Sequence, residues 1–154
     1  MAEEQQTPQM VFQIEKIYVK DLSVEVPNAP AIFLEREMPQ INVELGTQSA
    51  AIGEDVFESV IKVTVTAKHG EKTAYLIECV QAAIFRIAGL SQEQLSMALG
   101  IGCPNVIFPY ARETISDVIA RAGFPPLHLA PVNFEGEYML RQRQAAAETQ
   151  GSAH

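Results

Sequence analysis

Residues 56–85, VFESVIKVTVTAKHGEKTAYLIECVQAAIF, decide the fold of this chain. Two segments within them, Val56–Ala67 and Thr73–Phe85, are rich in the β-branched and aromatic residues that favour strands. Residues 68–72 (KHGEK) join the two segments as a tight turn in which Gly70 is free to take a positive φ. The stretch therefore predicts an antiparallel β-hairpin.

Two further strands are predicted before the hairpin, because Val11–Glu25 and Ile41–Leu45 both alternate between apolar and polar residues. The predicted apolar face of the first strand holds Phe12, Ile14, Tyr18, Leu22 and Val24, and its polar face holds Gln13, Glu15, Asp21, Ser23 and Glu25. The link between these strands, about Pro27–Pro39, is long for a hairpin and contains several apolar residues. We therefore expect it to pack as a crossover.

After the hairpin, the apolar residues recur with the period of a helix. Ser91–Gln94 has the pattern of a capping box, and Gly100 is predicted to end the helix that this box begins. A second helix is predicted to start at Pro104 or at Pro109. Asn133 is placed to cap a third helix.

Strands followed by helices predict an α+β fold: a four-stranded antiparallel sheet with a long crossover after the first strand and helices packed on one face. The length of 154 residues fits one domain. We expect a flexible N-terminus over residues 1–9, one domain over residues 10–143 and a disordered C-terminal tail over residues 144–154, since the tail is small and polar.

The charge balance limits the classes of partner. Nineteen acidic and eleven basic residues give a net charge of −8, which argues against a nucleic-acid partner. The first 60 residues contain eleven of the acids and only three of the bases, so they predict an acidic surface that could steer a basic partner. The N-terminus lacks the pattern of a signal peptide, and glycines and prolines break the stretch Gln94–Ala111, so no membrane insertion is expected. We expect a cytoplasmic protein.

Catalytic, metal-binding and cofactor motifs are not found in the sequence, so we predict no enzyme, no metal and no cofactor. The two cysteines, Cys79 and Cys103, form no CxxC motif and no disulfide framework. Cys103 lies near a predicted helix start, where the pKa of a thiol can fall, but no basic residue precedes it within ten positions. Catalysis by Cys103 is accordingly the third hypothesis.

Two surfaces are unusual. Asp21 and Glu25 point to one side of their strand, and Glu78 lies on a strand whose two faces are both largely apolar, which suggests a partner surface. Apolar residues also cluster in irregular segments, where they form either a satellite core or a binding groove. A single sheet leaves open edges, so a symmetric oligomer is expected.

Four segments carry a resemblance to a known family. They are IYVKD at residues 17–21, PNAP at 27–30, CPNVIFPYARE at 103–113 and LAPVNF at 129–134. In order and spacing the chain resembles the SecB family of protein-export chaperones over about residues 10–140. The resemblance implies a cytosolic, ATP-independent homotetramer, arranged as a dimer of dimers, that holds precursor proteins unfolded and passes them to the translocase motor SecA.

The resemblance also implies roles for particular residues. The positions that match the family's contacts with the basic, zinc-bearing C-terminal segment of SecA are Asp21, Glu25, Leu76 and Glu78. The positions that match residues tied to tetramer integrity are Ile77, Cys79 and Gln81. The groove for unfolded clients would lie beside the crossover, and its predicted aromatic lining is Phe33, Phe57, Phe108, Tyr110 and Phe134.

The main alternative is an α+β module that binds or carries a small apolar ligand, since the apolar residues outside the regular elements could equally line a pocket. The leading hypothesis, a holdase, differs from it in the ligand that it takes up. A holdase binds extended, unfolded segments without reading their sequence.

Overall fold

A four-stranded antiparallel sheet is the central layer of the computed structural model, which describes residues 9–151. Its strands are β1 (Val11–Glu25), β2 (Gln40–Gly53), β3 (Val56–His69) and β4 (Lys72–Ala88). The predicted α+β class and antiparallel sheet are confirmed. Residues 1–8 and 152–154, which include most of the predicted flexible N-terminus and the last part of the predicted tail, lie outside the described residues.

The strand order is β1-β4-β3-β2, so only the last three strands form a meander. β1 pairs with β4, and the segment of residues 26–39 joins two strands at opposite edges of the sheet. That segment contains the 3-10 helix Ala31–Leu34, in which Ile32 is buried. β3 and β4 pair as the predicted hairpin, and Gly70 in the turn between them has a positive φ of 61°.

Two β-bulges change which side chains of β1 face the core. The register with β4 shifts between Ile14 and Lys16 and again between Val19 and Asp21. Each bulge adds one residue, which reverses the alternation of the side chains beyond it. The prediction of one unbroken alternation was therefore wrong for the middle of the strand: Ile17 packs against the core, and Tyr18 points to the opposite face.

The predicted capping box is confirmed at α1 (Gln92–Met97), where the backbone N–H of Gln94 donates to Ser91 Oγ at 3.2 Å and the backbone N–H of Ser91 donates to Gln94 Oε1 at 3.0 Å. The prediction that Gly100 ends this helix was wrong. A π-helical turn, Ala98–Gly102, continues the chain into α2 (Cys103–Arg121). The ring of Tyr138 packs so closely on Gly100 that a Cβ there would lie 2.6 Å from it, which accounts for glycine at this position.

The last helix, α3 (Phe134–Gly151), begins where Asn133 Oδ1 accepts a hydrogen bond from the backbone N–H of Gly136 at 3.0 Å, as the predicted cap requires. It continues through residues 144–151, for which the sequence analysis predicted a disordered tail. These residues include Gln144, a run of alanines and Glu148, which are strong helix formers, and all of them are exposed.

α2 covers the middle of one face of the sheet, which we call the inner face, and no helix of residues 9–151 covers the other face. The core between α2 and the sheet includes Ile61, Val63, Ile77, Phe85, Ile107 and Ile115, all without exposed surface. No helix among residues 9–151 has the length and apolar character needed to cross a membrane.

Candidate functional site

The helix-free face of the sheet, which we call the outer face, brings together the four residues predicted to bind SecA. Asp21 pairs with Val80, Ser23 with Glu78 and Glu25 with Leu76. Directly paired residues of an antiparallel sheet project to the same face, so these carboxylates and Leu76 lie side by side. Asp21 and Glu25 are exposed, and Leu76 and Glu78 are half-buried because they lie on an inner strand.

The same face continues across the other two strands. Thr64 pairs with Glu78 and with Glu44, and Thr66 pairs with Leu76 and with Asn42. Glu44 is an exposed acid of this surface that the residue-by-residue resemblance missed. Its alternation with apolar neighbours on β2 was a visible signal, but the sequence does not show that β2 lies beside β3 in this register. We call the set Asp21, Glu25, Glu44, Leu76 and Glu78 the acidic patch.

Farther along the outer face, Tyr18 and Lys20 both donate hydrogen bonds to Glu58 on β3. The Lys20 Nζ to Glu58 Oε1 distance is 2.8 Å, and the hydrogen bonds from Lys20 and Tyr18 lower the pKa of Glu58. Burial, and then the hydrogen bond to Glu58, raises the pKa of Tyr18 to about 12. These contacts tie the edge strand β1 to β3 across β4, and they leave the acidic patch with its carboxylates unpaired.

The three residues predicted to matter for tetramer integrity lie on the inner face, beneath α2. Ile77 and Cys79 have no exposed surface, and Gln81 is almost fully buried. The side chain of Gln81 donates to the backbone oxygen of Tyr18 at 3.2 Å and accepts from Thr114 Oγ1 of α2 at 3.1 Å. All three therefore belong to the core of the chain, and Gln81 links it to both β1 and α2.

The five residues chosen for the client groove are not brought together. Phe108 and Phe134 pack edge to face with ring centroids 5.9 Å apart, and they belong to the core, with exposures of 5% and 2%. Phe57 is half-buried beside Phe85. Tyr110 is exposed on α2. Within the chain these five residues therefore do not form one continuous aromatic lining.

Phe33 lies in the crossover itself, and it is 48% exposed. Its ring centroid lies 5.1 Å from that of Phe124, which lies 4.8 Å from that of Tyr75. Gly123 makes this approach possible, because a Cβ there would lie 3.0 Å from the Phe33 ring. We call Phe33, Phe124 and Tyr75 the crossover aromatic cluster; Phe124 and Tyr75 were missed by the sequence analysis.

Strongly exposed apolar side chains adjoin this cluster. Leu34 is 83% exposed and Met38 is 80% exposed, in the same segment in which Ile32 is buried. Phe85 lies ten positions after Tyr75 on β4, roughly 33 Å along an extended strand, and Phe57 pairs with Phe85, so Phe57 lies near the other end of the sheet. The crossover end combines exposed apolar residues with the 48% exposed ring of Phe33 and its own aromatic support.

At the opposite end of the sheet an apolar groove of about 640 Å³ lies between β1 and α1, and its lining includes Met10, Phe12, Leu90, Met97 and Ile101. The inner face is also uncovered along both edges of the sheet. The large apolar side chains exposed there are Phe12, Ile14, Val19, Leu22, Val24, Ile41 and Val43. Both bulges of β1 serve this arrangement, since they keep these residues of β1 on one face.

The described residues give no support to catalysis by Cys103. Its thiol is fully buried, and burial raises its pKa to about 12, so the thiolate is disfavoured at neutral pH. No group of three or more potential metal ligands occurs within residues 9–151.

Comparison with known proteins gives a consistent result. A family model described as Preprotein translocase subunit SecB matches residues 3–145. The Protein-export protein SecB of Thiobacillus denitrificans is 61% identical over 94% of this chain and 95% of its own length, and that of Dechloromonas aromatica is 59% identical over 93% and 95%.

A solved structure supports the fold independently. The SecB-like chaperone Rv1957 of Mycobacterium tuberculosis, in complex with a ChAD peptide from the Rv1956 HigA1 antitoxin, aligns with a TM-score of 0.63. The match covers 79% of this chain and 91% of that chain at 21% identity. At this identity the likeness concerns the fold.

Proposed function

The chain belongs to the SecB family of protein-export chaperones, and from that membership we propose that it works as a cytoplasmic, ATP-independent holdase that delivers unfolded precursor proteins to SecA. Family membership also confirms the expectation that the chain is not an enzyme. ATP independence, the cytoplasmic location and delivery to SecA rest on the resemblance. The small-ligand carrier loses its support, since relatives over 90% of the chain are protein-export proteins.

The observation that carries the client-binding proposal is the exposed apolar crossover. Leu34, Met38 and the Phe33 ring present apolar surface to solvent beside the crossover aromatic cluster. Large apolar side chains that are strongly exposed and grouped in one short segment favour a binding surface. An unfolded segment can bury its own apolar side chains against them without any particular sequence, as a holdase requires.

Assembly as a homotetramer, a dimer of dimers, is proposed to cover the remaining apolar surface. β1 and β2 are the edge strands, and each leaves backbone groups unpaired along the free edge of the sheet. Both also carry uncovered apolar residues on the inner face. A second copy that continues the sheet or packs helices against this face would satisfy both. Such an assembly would also present several crossover segments to one client, so that weak individual contacts add up.

Docking of the motor is proposed for the outer face. The acidic patch combines four exposed or half-buried carboxylates with the half-buried Leu76, a combination that fits a basic segment with an apolar anchor. The zinc would belong to the SecA segment, which is consistent with the lack of a ligand group of this kind within residues 9–151.

The test of the holdase is a binding assay with one protein in two states. The chain should suppress aggregation of the protein when it is diluted from denaturant, at one chaperone tetramer per client, with or without ATP. It should not bind the same protein in its native form. Equal binding of both forms, or a requirement for ATP, would overturn the proposal. Native mass spectrometry of the same samples reports the tetramer.

A further inference from the structure

Lys62 is a lone base in the middle of the acidic patch. It pairs with Val80 on one side and with Gly46 on the other, so its side chain projects from the outer face in the same row as Asp21. Glu78 and Glu44 each lie one strand over and two residues along, about 8 Å from Lys62 between Cα atoms. Lys62 is exposed.

Two other cations of this face, Lys20 and Arg86, are neutralised within the chain. Lys20 pairs with Glu58 at 2.8 Å, and Arg86 pairs with Glu15 at 2.7 Å. None of the ion pairs formed within residues 9–151 includes Lys62, even though acids surround it. Its ammonium group is therefore available to a partner.

The strand beside Lys62 leaves room for that partner. Gly46 has no side chain, and a Cβ placed on it would meet nothing within 4 Å. A docked segment can reach the ammonium group from the side of β2, next to the exposed Glu44. On the other side, the half-buried Val80 adds apolar surface, with Glu78 between it and Leu76.

A segment that carried only basic residues would fit this surface badly. Its cations would pair with Asp21, Glu78 and Glu44, and Lys62 would then be covered by a like-charged partner. Covering an unpaired charge in an interface is costly, and like charges placed together suppress wrong partners and wrong registers. A carboxylate of the segment placed beside Lys62 would remove both the unpaired charge and the like-charge contact.

Building on the proposed docking of SecA, we propose that Lys62 pairs with a carboxylate of the docked segment and thereby sets its register on the sheet. The partner chemistry is then a segment of mixed charge: basic residues over the acidic patch and one acidic residue, or a chain-terminal carboxylate, over the row of Lys62 and Gly46. Lys62 is a specificity residue for docking and has no part in client binding.

The experiment asks whether a charge reversal at Lys62 strengthens or weakens binding of the segment. The affinity of full-length protein for the zinc-bearing C-terminal segment of SecA is measured for wild type, Lys62→Glu and Lys16→Glu at low ionic strength. If Lys62 is a bystander, Lys62→Glu makes the patch more acidic and strengthens binding of a basic segment. If Lys62 pairs with a carboxylate, Lys62→Glu weakens binding, by about three- to tenfold.

Lys16→Glu is the matched control, because it makes the same charge change on the same face. Lys16 pairs with Ile84, four residues along β4 from Val80, which is roughly 14 Å. It is exposed and lies outside the ion pairs described above. It should leave binding unchanged or strengthen it slightly, and circular dichroism should show all three proteins equally folded.

A second measurement locates the partner carboxylate. Each acid of the segment is replaced in turn by its amide. At one position the replacement should weaken binding to the wild-type protein, and the same replacement should cause no further loss of binding to Lys62→Glu. Tighter binding by Lys62→Glu, matching Lys16→Glu, would overturn the role of Lys62 and leave the docking proposal intact. Unchanged binding after Glu78→Lys would instead remove the docking proposal itself.

Discussion

The ring of Tyr138 in α3 lies against Gly100 in the π-helical turn, so closely that a Cβ on Gly100 would lie 2.6 Å from Cδ2 of that ring. The hydroxyl of the same tyrosine lies 2.9 Å from Ser96 Oγ of α1. The second glycine of the turn, Gly102, faces the ring of Phe12 on β1, where a Cβ would lie at an ordinary contact distance of 3.6 Å. The turn is therefore the point at which the first strand and the last helix both attach.

We expect Gly100→Ala to loosen α3, because the added methyl group and the Tyr138 ring cannot occupy the same space. Overpacking of this kind costs about 1–3 kcal/mol. Hydrogen exchange should become faster in α3 while β3 and β4 remain protected. Gly46→Ala, where the added carbon meets nothing within 4 Å, is the control and should leave α3 unchanged. Unaltered exchange in α3 after Gly100→Ala would mean that the ring moves aside at no cost.

Ile77→Asp is expected to unfold the subunit and not merely to separate subunits. Ile77 has no exposed surface and lies beneath α2, so the carboxylate would be buried without a partner at a cost of about 4 kcal/mol or more. Sedimentation together with circular dichroism distinguishes the two results. A folded monomer or dimer would show that Ile77 acts mainly through assembly, as the resemblance implied.

Phe33→Ala and Phe108→Ala should separate client binding from stability. Phe108 belongs to the core, so its removal should lower the free energy of unfolding by about 3–5 kcal/mol. Phe33 is 48% exposed, so its removal should cost about 1 kcal/mol of stability while weakening client capture. Denaturant unfolding and the aggregation assay measure both quantities. Client capture unaffected by Phe33→Ala would place the client site elsewhere, and the groove at Met10 and Met97 would be the next candidate.

Glu78→Lys is expected to abolish binding of the SecA segment without changing the tetramer or client capture. Glu78 lies on the outer face, which contributes nothing to the core beneath α2. Binding by wild type should weaken as salt rises, since charges farther apart than about 8–10 Å are screened at physiological ionic strength. A salt series of segment affinity for both proteins measures this. Equal, salt-independent binding would show the acidic patch to be an ordinary solvated surface.

The two buried thiols should make the fold less stable at alkaline pH. Burial raises the pKa of Cys79 to about 11 and that of Cys103 to about 12, from 9.0 for a free thiol. Above pH 9 the unfolded chain releases these protons and the folded chain keeps them, so stability is retained below pH 9 and falls as the pH rises. The slope is about 1.4 kcal/mol per pH unit for each thiol between pH 9 and 11.

The double variant Cys79→Ala/Cys103→Ala is the control for this prediction, because tyrosines titrate in the same range. Burial raises the pKa of Tyr75 as well, and Tyr75 is present in both proteins. Urea unfolding at several pH values should give a shallower decline for the double variant. Identical slopes would mean that the thiols are accessible to ionisation in the folded protein.

The features that the sequence determined by itself are local ones. The turn at Gly70, the capping box at Ser91 and the cap at Asn133 each depend on residues within a few positions of one another, and all three are present in the structure. The α+β class also follows from periodicity, since a change from period two to helical period is visible along the chain. The shared face of Asp21 and Glu25 was predictable because both residues follow the second bulge of β1.

The features that only the tertiary structure decided depend on residues distant in the chain. The bulges at Glu15 and Lys20 appear only in the pairing of β1 with β4, and they place Tyr18 beside Glu58, forty residues away. Gly100 lies inside a π-helical turn, against the ring of Tyr138 from the last helix. Phe33 and Phe108 look alike in sequence, and packing makes one a surface residue and the other a core residue. The burial of a side chain depends on the neighbours that the fold brings to it. Composition and spacing along the chain do not show which neighbours these are.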